Sequence, residues 1–78
     1  MSTSAKIRKV RATDISFTAD KMIVQIEDGR EIGVPIEWFP RLRDANSKER
    51  GSWRLIGGGV GIHWDLLDED ISVGGLLS

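Results

Sequence analysis

The chain has 78 residues, enough for one small domain, and its 11 Lys and Arg nearly balance 12 Asp and Glu for a net charge of −1. A charge this close to zero gives no overall attraction to nucleic acid. The content of 40% hydrophobic and 29% charged residues is typical of a globular domain and excludes a disordered tail. With no cysteine, the chain has neither disulfides nor a thiolate metal site.

The apolar residues are too scattered for a membrane protein, because no run approaches the roughly 20 residues of a membrane helix. The first residues also lack the apolar middle of a signal peptide. With the absence of cysteine, this predicts a cytoplasmic protein that does not engage a membrane. Residues 1–6 are predicted to be a disordered lead, and residues 7–78 a single domain.

Charge is distributed unevenly along the chain. Every Lys and Arg lies in residues 1–54, where they outnumber eight acids and give a net charge of +3. Residues 55–78 carry four acids and no base. Folding that places the two halves side by side would cancel this asymmetry.

The clearest structural signal lies in residues 15–34, where apolar and polar residues alternate in three runs. Period-two alternation is typical of strands with one buried face, so these runs predict a three-stranded antiparallel meander. Asp28 and Gly29 predict a two-residue turn between the second and third strands, because such a turn requires positive φ angles. A break in phase predicts a bulge near Asp14, or a strand that begins only there.

A short helix is predicted after the third strand, which should end at Pro35 because proline cannot donate to a ladder. Trp38, Leu42 and Ala45 follow at i, i+4, i+7 spacing and would share one helical face. Pro40 is tolerated only in a first turn, so the helix proper should begin about there.

Two further short strands are predicted at residues 53–56 and 61–64, joined by glycines, with Ser47 capping a turn ahead of them. Residues 68–70, Asp-Glu-Asp, suit the start of a short C-terminal helix, where carboxylates meet unpaired N–H groups. The alternative is an extended tail that packs Ile71, Val73 and Leu76. The predicted class is therefore α+β, with a three-stranded meander, one short helix, two more strands in a five-stranded sheet, and a C-terminal turn or short helix. The predicted core anchors are Trp38, Leu42, Trp53 and Trp64.

The glycine run at residues 57–59 raises the possibility of a phosphate-binding loop. The chain after it lacks the Lys-Ser or Lys-Thr of a P-loop, and the G-x-G-x-x-G spacing fails because its sixth position is Ile62 or Trp64. Glycine clusters commonly separate strands. The run therefore predicts a hairpin turn.

His63 and the carboxylates that follow it raise the alternative of a metal site, because imidazole and carboxylate can ligate iron, manganese or zinc. A lone histidine is a thin basis for such a site, and helix capping explains the acids. Nucleophilic catalysis would need a serine paired with His63, since the chain has no cysteine. The prediction is a non-enzyme without a cofactor, with a metal-dependent enzyme as a distant alternative.

Basic residues offer a nucleic-acid alternative, because they could converge on a face that binds phosphates in a salt-dependent way. No helix-turn-helix, zinc finger or aromatic RNA-binding signature accompanies them. The near-zero net charge favours a solvated surface of mixed charge instead. The contacts of this alternative would come from Lys6, Arg8, Lys9, Arg11 and Arg43.

Three motifs together resemble a small bacterial family. They are DGR at residues 28–30, VPIEWFPRL at residues 34–42 and HWDLLDEDISVGGLL at residues 63–77. The chain is similar over about residues 8–77 to domain of unknown function 2442. The resemblance implies a small α+β unit and no known catalytic residue. Similar proteins are free-standing or precede a helix-turn-helix domain, and we expect that DNA-binding half to be missing here.

The resemblance also implies a protein partner, because similar genes often lie beside another small protein in a pair that looks like toxin and antitoxin. We therefore expect a protein-binding module, with homodimerisation through an edge strand as a further option. Phe39 and His63 are expected at the surface. Arg41 is expected to pair with a carboxylate, either as an internal bridge or within a partner-binding face. That candidate face comprises Arg41, His63, Asp68, Glu69 and Asp70.

Overall fold

The computed structural model describes residues 10–77, so the predicted lead at residues 1–6 lies outside the described part. The first three strands are β1 (Ala12–Phe17), β2 (Lys21–Ile26) and β3 (Glu31–Pro35). They form an antiparallel sheet in the order β1-β2-β3. The predicted meander is confirmed, and β3 ends at its proline as expected.

A bulge lies at the start of β1, where the sequence predicts one. Ala12 pairs with Ile26, whereas Asp14 pairs with Gln25, so one extra residue separates the two pairs. The extra residue lets Ala12 and Ile15, which are three positions apart, both face the core. Ile15 also donates its N–H to the Asp14 carboxylate at 2.9 Å.

The hairpin between β2 and β3 differs from the predicted two-residue turn. Ile26 donates its N–H to the Arg30 carbonyl at 2.8 Å, which leaves three residues in the loop. Gly29 alone takes a positive φ, 97°, and Asp28 does not share it. The prediction was wrong because Asp28 caps the loop through its side chain, accepting the Arg30 N–H at 3.0 Å.

The predicted short helix begins at Pro40 as expected and ends at Arg43, with a further short helical piece on either side of it. A 3-10 turn, Ile36–Trp38, precedes helix α1 (Pro40–Arg43), and helix α2 (Ser47–Arg50) follows. Asn46, rather than Ser47, caps α2. Its side chain accepts the Glu49 N–H at 2.8 Å while the Glu49 carboxylate accepts the Asn46 N–H at 2.9 Å. This reciprocal capping box satisfies two helix-end donors, which Ser47 could not do from inside the helix.

The second half of the chain forms a separate sheet. Its strands β4 (Trp53–Ile56), β5 (Gly61–Trp64) and β6 (Glu69–Ser72) are antiparallel in the order β4-β5-β6. The two predicted strands are confirmed, and so is the glycine turn between them. The expected single sheet of five strands is wrong, because the described residues contain six strands in two three-stranded sheets.

Strand β6 replaces the expected acidic start of a helix. Asp68 takes a positive φ of 51° and completes the turn, and Glu69 and Asp70 then enter the strand. The C-terminal helix α3 (Val73–Leu77) begins later, without an acid in its first turn. The prediction was wrong because helix capping considers only the residues next to the acids. The strand that contains them is instead fixed by its pairing with β5.

The core draws on both sheets and α1. Its fully buried side chains include Leu42, Ile62 and Trp64, and the indole Nε1 of Trp64 donates to the Arg50 carbonyl at 3.0 Å. Trp53 is half-buried against this cluster. Trp38 is not a core anchor, because 65% of it is exposed.

The burial of Trp38 and Phe39 is therefore the reverse of the prediction, which placed Trp38 in the core and Phe39 at the surface. Trp38 lies in the 3-10 turn ahead of α1, so the helical spacing that would align it with Leu42 does not apply. Phe39 instead packs against the core. A proline follows Phe39, and it confines that residue to an extended backbone, observed at φ −128° and ψ 85°.

Candidate binding groove

An apolar groove of about 340 Å³ runs between the 3-10 turn and the C-terminal segment. Its volume falls within the range of roughly 300–1,000 Å³ typical of ligand pockets. The residues that line it are Trp38, Phe39, Asp70, Ile71, Ser72, Gly75 and Leu76. The groove thus joins one motif of the family resemblance, at residues 34–42, to the other at residues 63–77.

One wall of the groove is held rigidly by the backbone around Trp38. The 3-10 turn lies between Pro35 and Pro40, and the Phe39 N–H closes it on the Ile36 carbonyl at 3.0 Å. Phe39 and Ile36 anchor the turn in the core from below. Trp38 is consequently presented to solvent by a fixed support, which lowers the entropy lost when a partner covers it.

The opposite wall is an open strand edge. β6 is the last strand of its sheet and pairs only with β5 among residues 10–77. Val73 donates its N–H to the Val60 carbonyl at 3.0 Å, which fixes the alternation of the antiparallel ladder. By that alternation, the N–H and C=O of Asp70 and the N–H of Ser72 are directed away from β5. These groups form a short unpaired edge along the groove.

Arg41 fixes the turn between β5 and β6. Its guanidinium donates to the Leu67 carbonyl at 2.7 Å, and Nε lies 3.8 Å from the Glu69 carboxylate. The arginine is largely exposed and the glutamate largely covered. The carboxylate that Arg41 faces is therefore that of Glu69, and the contact ties α1 to the start of β6.

His63 is more enclosed than expected, with 18% of its side chain exposed. Its Nδ1 lies 2.6 Å from the Asp70 carboxylate, across the ladder, and its Nε2 lies 3.1 Å from that of Asp65. The expectation of a solvated ring was wrong because carboxylates from both sides cover it. Only the doubly protonated ring has a donor for each carboxylate.

The arrangement around His63 bears on the metal alternative. Each ring nitrogen faces a different carboxylate. Within residues 10–77, no group of three or more His, Cys, Asp or Glu side chains is placed to hold a metal. Asp68 is exposed and lies outside the groove lining.

The basic residues of the nucleic-acid alternative are only partly described, since Lys6, Arg8 and Lys9 lie outside residues 10–77. Arg11 bonds to the carbonyls of the glycine turn, each at 3.4 Å, and lies 3.7 Å from the Glu27 carboxylate. Arg43 contacts Asp44 at 2.9 Å. That side-chain hydrogen bond holds the pKa of the Asp44 carboxyl below its ordinary value. Each described arginine of this set is thus engaged with its own carboxylate.

The sequence matches the family model described as protein of unknown function (DUF2442) over residues 12–78. This match covers most of the chain. The chain belongs to the DUF2442 family. Both halves of the groove lie inside the matched range.

A solved structure is similar to this chain over most of its length. It is the crystal structure of a protein of unknown function from Rhodospirillum rubrum, which is 28% identical and superposes with a TM-score of 0.77. The similarity covers 90% of this chain and 87% of that one. A comparison with curated proteins finds no match. Within the described residues, no helix is long and apolar enough to cross a membrane.

The groove brings together residues that the sequence did not associate. Asp70 is the one residue of the candidate face that lines the groove, and His63 contacts its carboxylate. Arg41 and Glu69 contact each other next to the groove. Trp38 was missed because it was assigned to the core. The extended alternative for the C-terminal segment came nearest to β6, because Ile71 is apolar between the polar residues Asp70 and Ser72.

Proposed function

We propose that this DUF2442 domain is a non-enzymatic module that binds a small protein partner in the groove beside Trp38. The observation that carries the proposal is a tryptophan with 65% of its surface exposed at the wall of an apolar groove. Tryptophan is the residue most enriched at binding hot spots, and exposed apolar patches on small proteins commonly mark interfaces. A role as the neutralising half of a two-gene pair, acting in the cytoplasm, is part of this proposal.

The composition of the groove supports binding over catalysis. Asp70 is the one ionisable residue in its lining, so the groove holds a single candidate group for proton transfer. General acid–base catalysis needs titratable groups that are free to exchange protons with a substrate in the pocket. The remaining lining is apolar or small, which suits an apolar side chain of a partner.

The nucleic-acid alternative receives less support from the described residues. Arg11 and Arg43 both have intramolecular carboxylate partners, which offset part of the positive charge that phosphate binding would use. Protein binding at Trp38 draws instead on an uncharged side chain that is 65% exposed. The groove is therefore the better supported site.

The test compares capture of a partner by three forms of the tagged protein in lysate of its native host. Trp38→Ala removes the indole of the groove wall. Leu66→Ala is the matched control, because Leu66 is also a large exposed apolar residue, at 55%, but lies outside the groove lining. We expect a stoichiometric partner with the unmodified protein and with Leu66→Ala, and loss of that partner with Trp38→Ala.

Two results would contradict the proposal. One is that the unmodified protein recovers no stoichiometric partner. The other is that Trp38→Ala retains the partner as well as Leu66→Ala does. Circular dichroism of all three proteins checks that they are equally folded, so that loss of capture reports the groove and not unfolding.

A further inference from the structure

The unpaired edge of β6 lies beside the exposed indole, and together they define how a partner would bind. We propose that the partner contributes an extended, basic segment, which pairs with β6 as an added strand and places an apolar side chain against Trp38. This inference rests on the proposed function and adds the chemistry of the partner. Addition of a strand to an open sheet edge is a recurrent mode of peptide recognition, in which backbone bonds supply affinity and pockets supply specificity.

The backbone of β6 presents outward-facing groups that an added strand can bind. Two residues of β6 direct backbone groups outward on the same edge: Asp70 its N–H and C=O, and Ser72 its N–H. They are two positions apart, and an incoming strand presents its own donors and acceptors at the same two-residue interval. The four residues of β6 limit this pairing to a short segment. A short backbone pairing needs a side-chain anchor beside it, and Trp38, Leu76 and the apolar floor of the groove provide one.

The charge around the edge of β6 is acidic. Residues 55–77 carry Asp65, Asp68, Glu69 and Asp70 and no Lys or Arg. Arg41 and Arg54, from elsewhere in the chain, face Glu69 and Asp65. Asp68 has no ion-pair partner among residues 10–77, and Asp70 is 69% exposed in its side chain despite its contact with His63. Lys or Arg on the incoming strand would complement this acidic excess.

The same charges argue against a second copy of this chain as the occupant. Pairing of β6 with its own copy would place two acidic strands side by side, because each copy carries Glu69 and Asp70. Like charges placed opposite one another on neighbouring strands are destabilising. A basic segment from another protein meets no such repulsion, so self-association becomes an outcome that the test must detect.

The test is an NMR titration of the isotope-labelled 78-residue protein with the synthetic peptide acetyl-Thr-Lys-Val-Arg-Leu-Lys-Thr-amide. Two control peptides accompany it: one with Glu in place of each Lys and Arg, and one with proline in place of the central Arg. We expect shifts at the amides of Asp70 and Ser72 and at the Trp38 indole N–H with the basic peptide. The acidic and proline peptides should bind at least about tenfold more weakly, and binding of the basic peptide should weaken as salt is raised.

Two protein variants separate backbone pairing from surface attraction. Ser72→Pro removes the outward N–H without removing a ladder bond to β5, since edge positions of this kind tolerate proline. Ser72→Ala is its matched control, because it removes the same hydroxyl, which bonds the Gly75 N–H at 3.4 Å, and keeps the backbone donor. We expect at least about tenfold weaker peptide binding for Ser72→Pro than for Ser72→Ala.

Several results would overturn strand addition: no shifts with the basic peptide, equal binding of the acidic peptide, equal affinities of the two Ser72 variants, or concentration-dependent self-association that shifts β6. If capture of a partner still depends on Trp38 in those cases, the proposed protein-binding function survives and only the strand mode is wrong. If capture fails as well, both proposals fail.

Discussion

Trp38 and Phe39 are consecutive in the chain but face opposite environments, the first largely exposed and the second packed against the core. The 3-10 turn and the following proline impose this reversal. The pair therefore separates two roles that aromatic residues play. Phe39 is half-buried and stabilises the fold while it also lines the groove, and Trp38 is available for binding.

The different burial of these two residues predicts different stability effects. Trp38→Ala should change the free energy of unfolding by less than about 0.5 kcal/mol, as is usual for exposed positions. Phe39→Ala should cost about 2 kcal/mol or more, below the roughly 3–5 kcal/mol of a fully buried phenylalanine. Urea denaturation of both variants gives the comparison. Equal losses would show that the indole also supports the fold.

The hydrogen bond from Trp64 to the Arg50 carbonyl predicts a cost for removing the indole N–H. Trp64→Phe loses that 3.0 Å bond and leaves a void in a fully buried site, so we expect a loss of roughly 2–4 kcal/mol. Trp53→Phe is the matched control, because Trp53 is only half-buried. Its loss should be smaller by about 1 kcal/mol or more. Thermal and urea unfolding measure both, and a reversed order would refute the assignment of Trp64 as the core anchor.

Alanine substitutions at two glycines with positive φ should separate the cost of backbone strain from the cost of steric overlap. Gly59 has φ 106°, and a Cβ there would lie 2.5 Å from the Ala12 carbonyl oxygen. Gly29 has φ 97°, with nothing within 4 Å of a Cβ. Alanine at Gly29 should cost about 1 kcal/mol from the backbone conformation alone. Gly59→Ala should cost clearly more in urea unfolding, because β1 must also move, and similar costs would contradict the close approach.

Asp28 predicts a small dependence of stability on pH. The N–H of Arg30 and, secondly, its guanidinium lower the pKa of the Asp28 carboxyl. A carboxyl with a lower pKa in the folded state stabilises the fold above its unfolded pKa of about 3.9, and that contribution is lost as pH falls through the folded pKa.

Asp28→Asn is the comparison for this effect, because it keeps a side-chain oxygen acceptor and removes the charge. The difference in unfolding free energy between the two proteins should be larger at neutral pH than well below the folded pKa. An NMR titration of the Asp28 carboxyl should give a midpoint below 3.8, its ordinary value. A midpoint at or above that value would disprove the capping role.

Local periodicity was sufficient to locate five of the six strands, since alternation at positions such as Val24 and Ile62 depends only on which side of a strand faces the core. Asp68 to Asp70 misled the prediction because acids suit both a helix start and a solvated strand face. The division into two sheets depends on long-range packing, as between Gly59 and β1. No local pattern encodes it.

The site was harder to predict than the fold for a related physical reason. Trp38 lines the groove because a 3-10 turn between two prolines rotates it away from the helix face shared with Leu42. The opposite wall of the groove is the edge of β6, which lies more than thirty residues after Trp38 in the sequence. The motifs that carry the family resemblance contain both walls, but their apposition is visible only in the folded chain.

The central claim is that a protein partner covers Trp38, and fluorine NMR of the 5-fluorotryptophan-labelled protein tests it most directly. The chain has three tryptophans, at positions 38, 53 and 64, so three resonances are assigned by single Trp→Phe substitutions. On addition of the partner recovered in the capture experiment, the Trp38 resonance should shift or broaden while that of buried Trp64 stays in place. A stable complex that leaves the Trp38 resonance unmoved would contradict the claim.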